Sequence, residues 1–269
     1  MSQSTLSSAI EGACVSLERE GGLAWVTLSN PGRLNAITVS MWGQLQQVFE
    51  ALSQDMSVRC VIIRGADGNF AAGADIREFP ELRGDTAGVR HYHQEILAPA
   101  LHAVAECPHP VVAQIEGVCV GGGLEIACQA DLRIAGASAR FGVPINKLGF
   151  SMAPDEMRGL LGLVGRATTL AILLEGRVFD AAEALSLGLL TRVVPDAEVA
   201  DQTLASAERI MRGAPLAARI NKRQSRHMAA GLPLTESDYQ DFFSYAESRD
   251  HREGVSAFLA GRTPTFTGE

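Results

Sequence analysis

An α/β fold whose last part turns almost wholly helical is what this sequence predicts, and three observations predict it. Short apolar runs of strand length recur through the first part, such as Cys60–Arg64 (CVIIR) and Val111–Ile115 (VVAQI). Segments with the spacing of one helical face lie between them, as in Met41, Leu45, Val48, Phe49 and Leu52. From Asp155 onward the strand signal fades and helical periodicity takes over.

The elements follow in order. Val15–Glu18 and Leu23–Leu28 flank Gly21-Gly22, which reads as a hairpin. After the turn Asn30-Pro31-Gly32, a helix starts near Thr38 or Ser40, residues suited to an N-cap. The strand Cys60–Arg64 is closed by Gly65-Ala66-Asp67-Gly68. A helix is expected over roughly residues 86–105, its end framed by Pro108 and Pro110. Val111–Ile115 is a strand, Gly121–Ala130 a glycine-rich turn entering a helix, and Leu132–Ala135 a strand again. The alternation continues to about Phe141–Leu148. Helices are then expected at Gly165–Leu174, Ala181–Leu187, Glu198–Met211, Pro215–Ala230, Leu234–Arg249 and Arg252–Ala260. The expected division is an α/β core over 1–195 and a helical C-terminal region over 196–269.

Composition bounds the function. The 269 residues fit one large domain, able to bury about three quarters of its unfolded surface. An apolar fraction of 46% excludes a disordered chain. The net charge of −8 gives no basic footprint, so nucleic acid is not an expected partner. Five cysteines without CxxC spacing argue against disulfides and zinc, for a cytoplasmic protein with no metal. The leading MSQSTLSSAIEGA lacks the pattern of a targeting signal, and no uninterrupted apolar run approaches the ~18 residues of a membrane span, so no membrane partner is expected.

Two glycine-rich segments carry the chemistry. In Gly117–Glu125 (GVCVGGGLE) three consecutive glycines join a strand to a helix, where free N–H groups and the positive dipole end can hold an anion or a developing oxyanion. Phe70–Arg77 (FAAGADIR) is a second small-residue turn after a strand. One N–H from each would make an oxyanion hole for a carbonyl.

These segments resemble the enoyl-CoA hydratase/isomerase, or crotonase, family. The matching stretches are Asn30-Pro31 with Leu34-Asn35-Ala36, FAAGADI at 70–76, GVCVGGGLEIACQADLRIA at 117–135, Phe141–Pro144 with Leu148-Gly149, GRVFDAAEALSLGLLTRVV at 176–194 and SRDHREGVSAFLAGRTPTFTG at the C-terminus. The resemblance implies a crotonase-like spiral of strand-strand-helix units, with a helical C-terminal region that assembles homotrimers or homohexamers. It implies an acyl-CoA substrate, with coenzyme A entering as part of that substrate and no separate cofactor. The backbone N–H groups of Ala74 and Gly122 would hold the thioester carbonyl, and Glu125 matches the family's first catalytic glutamate. Arg33 and Arg77 are candidates for the CoA phosphates and adenine surroundings. Ala36, Ala72, Asp75 and Ile76 would border the pantetheine and adenine.

One position departs from the pattern. Hydratases of this family carry a second glutamate directly after the FGxP segment, and here that position is Ile145, followed by Asn146, both candidates for the acyl pocket. Water addition across a conjugated double bond uses paired acid–base groups, each worth roughly 10²–10⁴-fold. One carboxylate beside an oxyanion hole suffices for a double-bond shift or a proton exchange. Asp155 and Glu156 are candidate replacements, against a plainer role of acidifying the first turn of a helix after Pro154. His91 and His93 lie where the acyl pocket is often bordered, with solvent-facing positions the expectation for both. The sequence thus supports a hydratase, an isomerase or other one-base acyl-CoA enzyme, with a non-catalytic acyl-CoA-binding homologue as the alternative that retained Glu125 opposes.

Overall fold

The computed structural model describes residues 12–269. The leading segment that carries the targeting expectation therefore lies almost entirely outside them. A hairpin of β1 (Cys14–Glu20) and β2 (Leu23–Ser29) opens the chain, and helix α1 (Val39–Gln54) follows, capped by the Thr38 side chain. Next come β3 (Cys60–Gly65), the short helices α2 (Phe79–Leu82) and α3 (Thr86–His91), and α4 (Ala98–Glu106). Strands β4 (Val111–Ile115) and β5 (Val118–Val120) lead into α5 (Gly122–Gln129), then β6 (Leu132–Gly136) and β7 (Arg140–Gly142).

The remainder holds α6 (Pro154–Glu175), β8 (Phe179–Asp180), α7 (Ala181–Ser186), β9 (Arg192–Val194), α8 (Val199–Met211), α9 (Pro215–Ala229), α10 (Glu236–Phe242) and α11 (Arg249–Leu259). Two strands thus fall in a part expected to be helical. At two and three residues they are too short to leave a periodicity of their own.

The main sheet runs β1-β2-β3-β4-β6-β9, parallel throughout except for the opening hairpin. Parallel strands covered on both faces read as continuous apolar runs, and all five residues of β4 are buried. Along β3, Val61 and Ile63 face the large core with Trp42, Phe49 and Leu101. Cys60 and Ile62 face a smaller cluster with Val112, Ile134 and Ala207. The second cluster exists because α8, the first helix of the expected C-terminal region, packs on β3, β4 and β6. A second sheet, β5-β7-β8, stands beside the first.

Two local departures position the site. The helix expected over 86–105 is broken: a π-helical turn, Tyr92–Leu97, separates α3 from α4. Pro99 has no N–H to continue an α ladder, and the Ala98 N–H reaches back five residues to the His93 carbonyl. Helix α6 begins at Pro154, well before Gly165, where a backbone of φ 69° and ψ 173° breaks it. By length and mean hydropathy alone α6 would suffice to cross a bilayer, but Arg158 and Arg166 interrupt its apolar residues, so the expectation of no uninterrupted apolar run of that length stands. Its first turn carries Asp155 and Glu156, and it packs on α5, so it is built into this fold.

Candidate active site

The chain after β3 turns at 66–69 and runs beside β5. Ala71 N–H donates to the Val118 carbonyl at 2.9 Å, and Val120 N–H donates to the Ala71 carbonyl at 3.1 Å. On its other side the strip is held by the 30–37 loop. Ala72 N–H donates to the Leu34 carbonyl at 2.9 Å, and Ile37 N–H donates to the Gly73 carbonyl at 2.7 Å. That loop has left-handed backbone at Leu34 (φ 49°) and Asn35 (φ 56°). Buried Asn35 secures it, its Nδ2 donating to the Ala66 and Asn69 carbonyls at 2.8 Å each. The Asn-Pro…Leu-Asn-Ala motif therefore acts as a clamp on the 70–74 strip.

Among the described residues, neither the Ala74 N–H nor the Gly122 N–H has a hydrogen-bond acceptor. The two amides converge. A Cβ placed on Gly73 would lie 3.4 Å from the Gly122 nitrogen, and one placed on Gly122 would lie 3.4 Å from the Ala74 nitrogen. Gly73 (φ 96°) and Gly121 (φ 50°) also need backbone that side chains disfavour. Gly123 serves packing, since a Cβ there would strike the Ala71 carbonyl at 2.3 Å. The glycines thus keep two donors free and side by side.

Ala74 and Gly122 line a cleft of about 560 Å³, counting the space open at its mouth. Two carboxylates line it with them. Glu125, in the first turn of α5, is 6% exposed, and Glu156, in the first turn of α6, is 4% exposed. Burial pushes the Glu125 carboxyl well above the ordinary carboxylate range, the charge of Glu156 pushes it the same way, and Arg83 opposes both. Glu156 is held at both oxygens. Oε2 accepts from the Ala153 N–H at 3.3 Å, and Oε1 meets His93 Nδ1. Glu156 thus caps its helix and also reaches the cleft.

His93 is the first correction: its side chain is 11% exposed and lines the cleft, against the solvent-facing position expected. His91 is exposed, as expected. The π turn accounts for the difference, because it lets the adjacent Tyr92 and His93 both face the cleft. Asp155 is the second, since it turns outward to an ion pair with Arg158 at 3.1 Å. Asn146 is the third. It is absent from the cleft wall, and its Nδ2 donates to the Leu174 carbonyl at 2.9 Å near the end of α6. Ile145 lies on the wall, beside Leu148 and Phe150.

At the mouth, Ala72 and Ile76 line the cleft, and Ile76 is exposed. Asp75 is buried, accepting from Arg77 Nε at 2.8 Å, and the Arg77 guanidinium holds its carboxyl below the usual carboxylate range. Arg77 and Arg33 lie outside the wall with their charges toward solvent, both near enough to act on Asp75. Ala36 is part-buried in the clamp loop and accepts from Asn30 Nδ2 at 2.6 Å.

Residues with no motif around them complete the wall: Phe79, Arg83, Tyr92, Leu97 and Phe150. Phe79 meets Tyr92 edge-on at 5.9 Å and Phe150 at 6.0 Å between centroids. Tyr92 accepts from Trp42 Nε1 at 3.3 Å, and burial raises its phenol well above the ordinary value. Among the described residues no group of three or more His, Cys, Asp or Glu side chains could hold a metal ion.

A family model described as enoyl-CoA hydratase/isomerase matches residues 18–269. A crystal structure of an enoyl-CoA hydratase/carnithine racemase from Magnetospirillum magneticum superposes with a TM-score of 0.92 at 43% identity, covering 95% of this chain and 96% of that one. A probable mitochondrial enoyl-CoA hydratase 2 of Arabidopsis thaliana is 34% identical over 93% of this chain and 83% of its own length. The 1,2-epoxyphenylacetyl-CoA isomerase of Escherichia coli is 32% identical over 93% of this chain and 97% of its own length.

Proposed function

The chain belongs to the enoyl-CoA hydratase/isomerase family, and from that premise we propose that it hydrates 2-enoyl-CoA thioesters with two carboxylates drawn from different helices, Glu125 and Glu156. One observation carries this reading: Glu156 lines the same cleft as Glu125, Ala74 and Gly122, so α6 supplies the acid that the Ile145 position lacks.

The thioester carbonyl accepts from the Ala74 and Gly122 N–H groups, which draws electron density from the conjugated double bond toward the oxygen. Glu156, oriented by His93 and the Ala153 N–H, takes a proton from water as its oxygen bonds to Cβ. The π electrons move into a thioester enolate held by the two donors. Glu125, whose burial favours the protonated form, delivers its proton to Cα. The mouth fits the rest of the ligand: Ala72 and Ile76 beside the pantetheine, Ala36 and Asp75 behind them, and Arg33 and Arg77 for phosphate and adenine.

A second reading, double-bond migration by Glu125 alone, is favoured by the dry wall of Ile145, Leu148 and Phe150. Incubation with 2-enoyl- and 3-enoyl-CoA in D₂O separates the two. Hydration of the 2-enoyl ester, lost in Glu156→Gln while deuterium exchange at Cα of the 3-enoyl ester persists, is the expected result. Migration without hydration would establish the second reading, and no turnover or exchange with any chain length would leave only acyl-CoA binding.

Self-association through the C-terminal helices belongs to the same proposal. Phe258 and Leu259 of α11 are 86% and 81% exposed, an apolar surface that isolated subunits rarely leave open. Trimers or hexamers in sedimentation, shifted toward monomer by Phe258→Asp, are expected.

A further inference from the structure

Arg83 places a cation in the cleft. It follows α2 directly and lines the wall that holds Glu125 and Gly122. Among the described residues, no carboxylate lies within 4.0 Å of its guanidinium and no acceptor takes a hydrogen bond from it. Its neighbours differ: Arg77 bonds Asp75, Arg90 donates to Gln94 Oε1 at 2.8 Å, and Arg158 pairs with Asp155.

The guanidinium is nevertheless held in place. Its central carbon lies 4.3 Å from the Phe79 ring centroid, 4.2 Å from that of Phe150 and 5.4 Å from that of Tyr92. Ring faces attract the cation and fix its plane, but they take up none of its in-plane N–H fork. That fork matches a carboxylate bidentately. Glu125 and Glu156 do not fill it, since neither reaches salt-bridge distance. The wall also carries apolar Ile76, Leu97, Ile145 and Leu148, suited to methylene groups. A plain alkyl chain would cover the fork with no acceptor, at a cost in binding.

We propose that Arg83 determines specificity by pairing with a carboxylate at the far end of the acyl chain, so that the preferred substrates are CoA thioesters of dicarboxylic acyl groups. This rests on reading the cleft as an acyl-CoA site. Neutral ω-groups such as amides or hydroxyls offer the fork a weaker, uncharged acceptor.

Calorimetric binding tests it without turnover, using saturated mono- and dicarboxylic acyl-CoA pairs from four to eight carbons, for instance hexanoyl-CoA against adipoyl-CoA. The full chain is expected to bind the dicarboxylic member about 10- to 100-fold more tightly at its best length. Arg83→Met should abolish that ratio without weakening the monocarboxylic ligand, whose chain no longer covers an unpaired fork, and Arg83→Lys should keep part of it. No preference at any length, or equal weakening of both ligands by Arg83→Met, would overturn the inference and make Arg83 a prop for the aromatic cluster. Failure to bind any acyl-CoA would instead defeat the reading of the cleft on which it rests.

Discussion

The two walls of the cleft are made of different material. On one side, the 70–74 strip and the start of α5 present backbone: the Ala74 and Gly122 N–H groups, kept open by Gly73 and Gly121. On the other, the π turn, Arg83 and the start of α6 present side chains: His93, Tyr92, Arg83 and Glu156. A backbone site needs particular residue types at fixed local spacing, so it leaves a motif. A side-chain site needs only one suitable residue on each of several elements, which the fold then brings together. In the proposed reaction the first wall would hold charge common to any thioester, and the second would set which reaction and which acyl chain follow.

The comparison can be broken most severely at Glu125, which belongs to the backbone wall by position and to the chemistry of both. Glu125→Gln should lower kcat by about 10²–10⁴-fold for every reaction the protein performs. A loss under tenfold, measured on purified protein with intact circular dichroism, would remove it from the acid–base role. Gly73→Ala comes next, because its Cβ intrudes beside the Gly122 nitrogen at a backbone angle that favours glycine. A kcat loss of about 10²–10³-fold with little change in acyl-CoA affinity is expected, comparable to losing one oxyanion donor.

The opposite wall is sharpened by a trio of variants. His93→Ala should lower kcat for hydration by about 10-fold or more with KM nearly constant, since it orients Glu156 and touches no reacting atom. Asp155→Asn should change neither parameter by more than about 2-fold, because its carboxylate faces solvent and Arg158. If Asp155→Asn proves as damaging as Glu156→Gln, the assignment of the second carboxylate fails.

Stability against pH gives the smallest effect. Burial raises the Glu125 carboxyl above its ordinary value of 4.5, so the native state holds that proton more tightly than the unfolded chain. Native stability is then complete below the ordinary value and declines as pH rises from there through the raised one. Glu125→Gln carries no such penalty. Its melting temperature should match wild type near pH 4 and exceed it by a few degrees near pH 8. An advantage that shrinks with rising pH would contradict the buried, proton-holding carboxyl.

Much of this architecture can be read from the chain. The hairpin and α1 with its Thr38 cap announce themselves by apolar residues repeating at the period of the element, β3, β4 and β6 by short continuous apolar runs, and α5 by the glycine-rich turn that opens it. The π turn does not, since its cause is one proline acting on an otherwise ordinary helical pattern. Nor do β8 and β9, whose strand form comes from pairing with β7 and β6.

Glu156 and Asp155 make the limit plain. Adjacent acids after a proline look equivalent as a string, and both suit a helix N-terminus. In three dimensions successive helical residues point about 100° apart, so one meets Ala153 and His93 in the cleft and the other meets Arg158 in solvent. The sequence by itself determined the layered α/β core and the glycine-lined donors ahead of Glu125, because those rest on local backbone geometry. Only the tertiary structure decided which acid faces Glu125, and that Arg83 stands against three aromatic rings, because both depend on where separate elements meet.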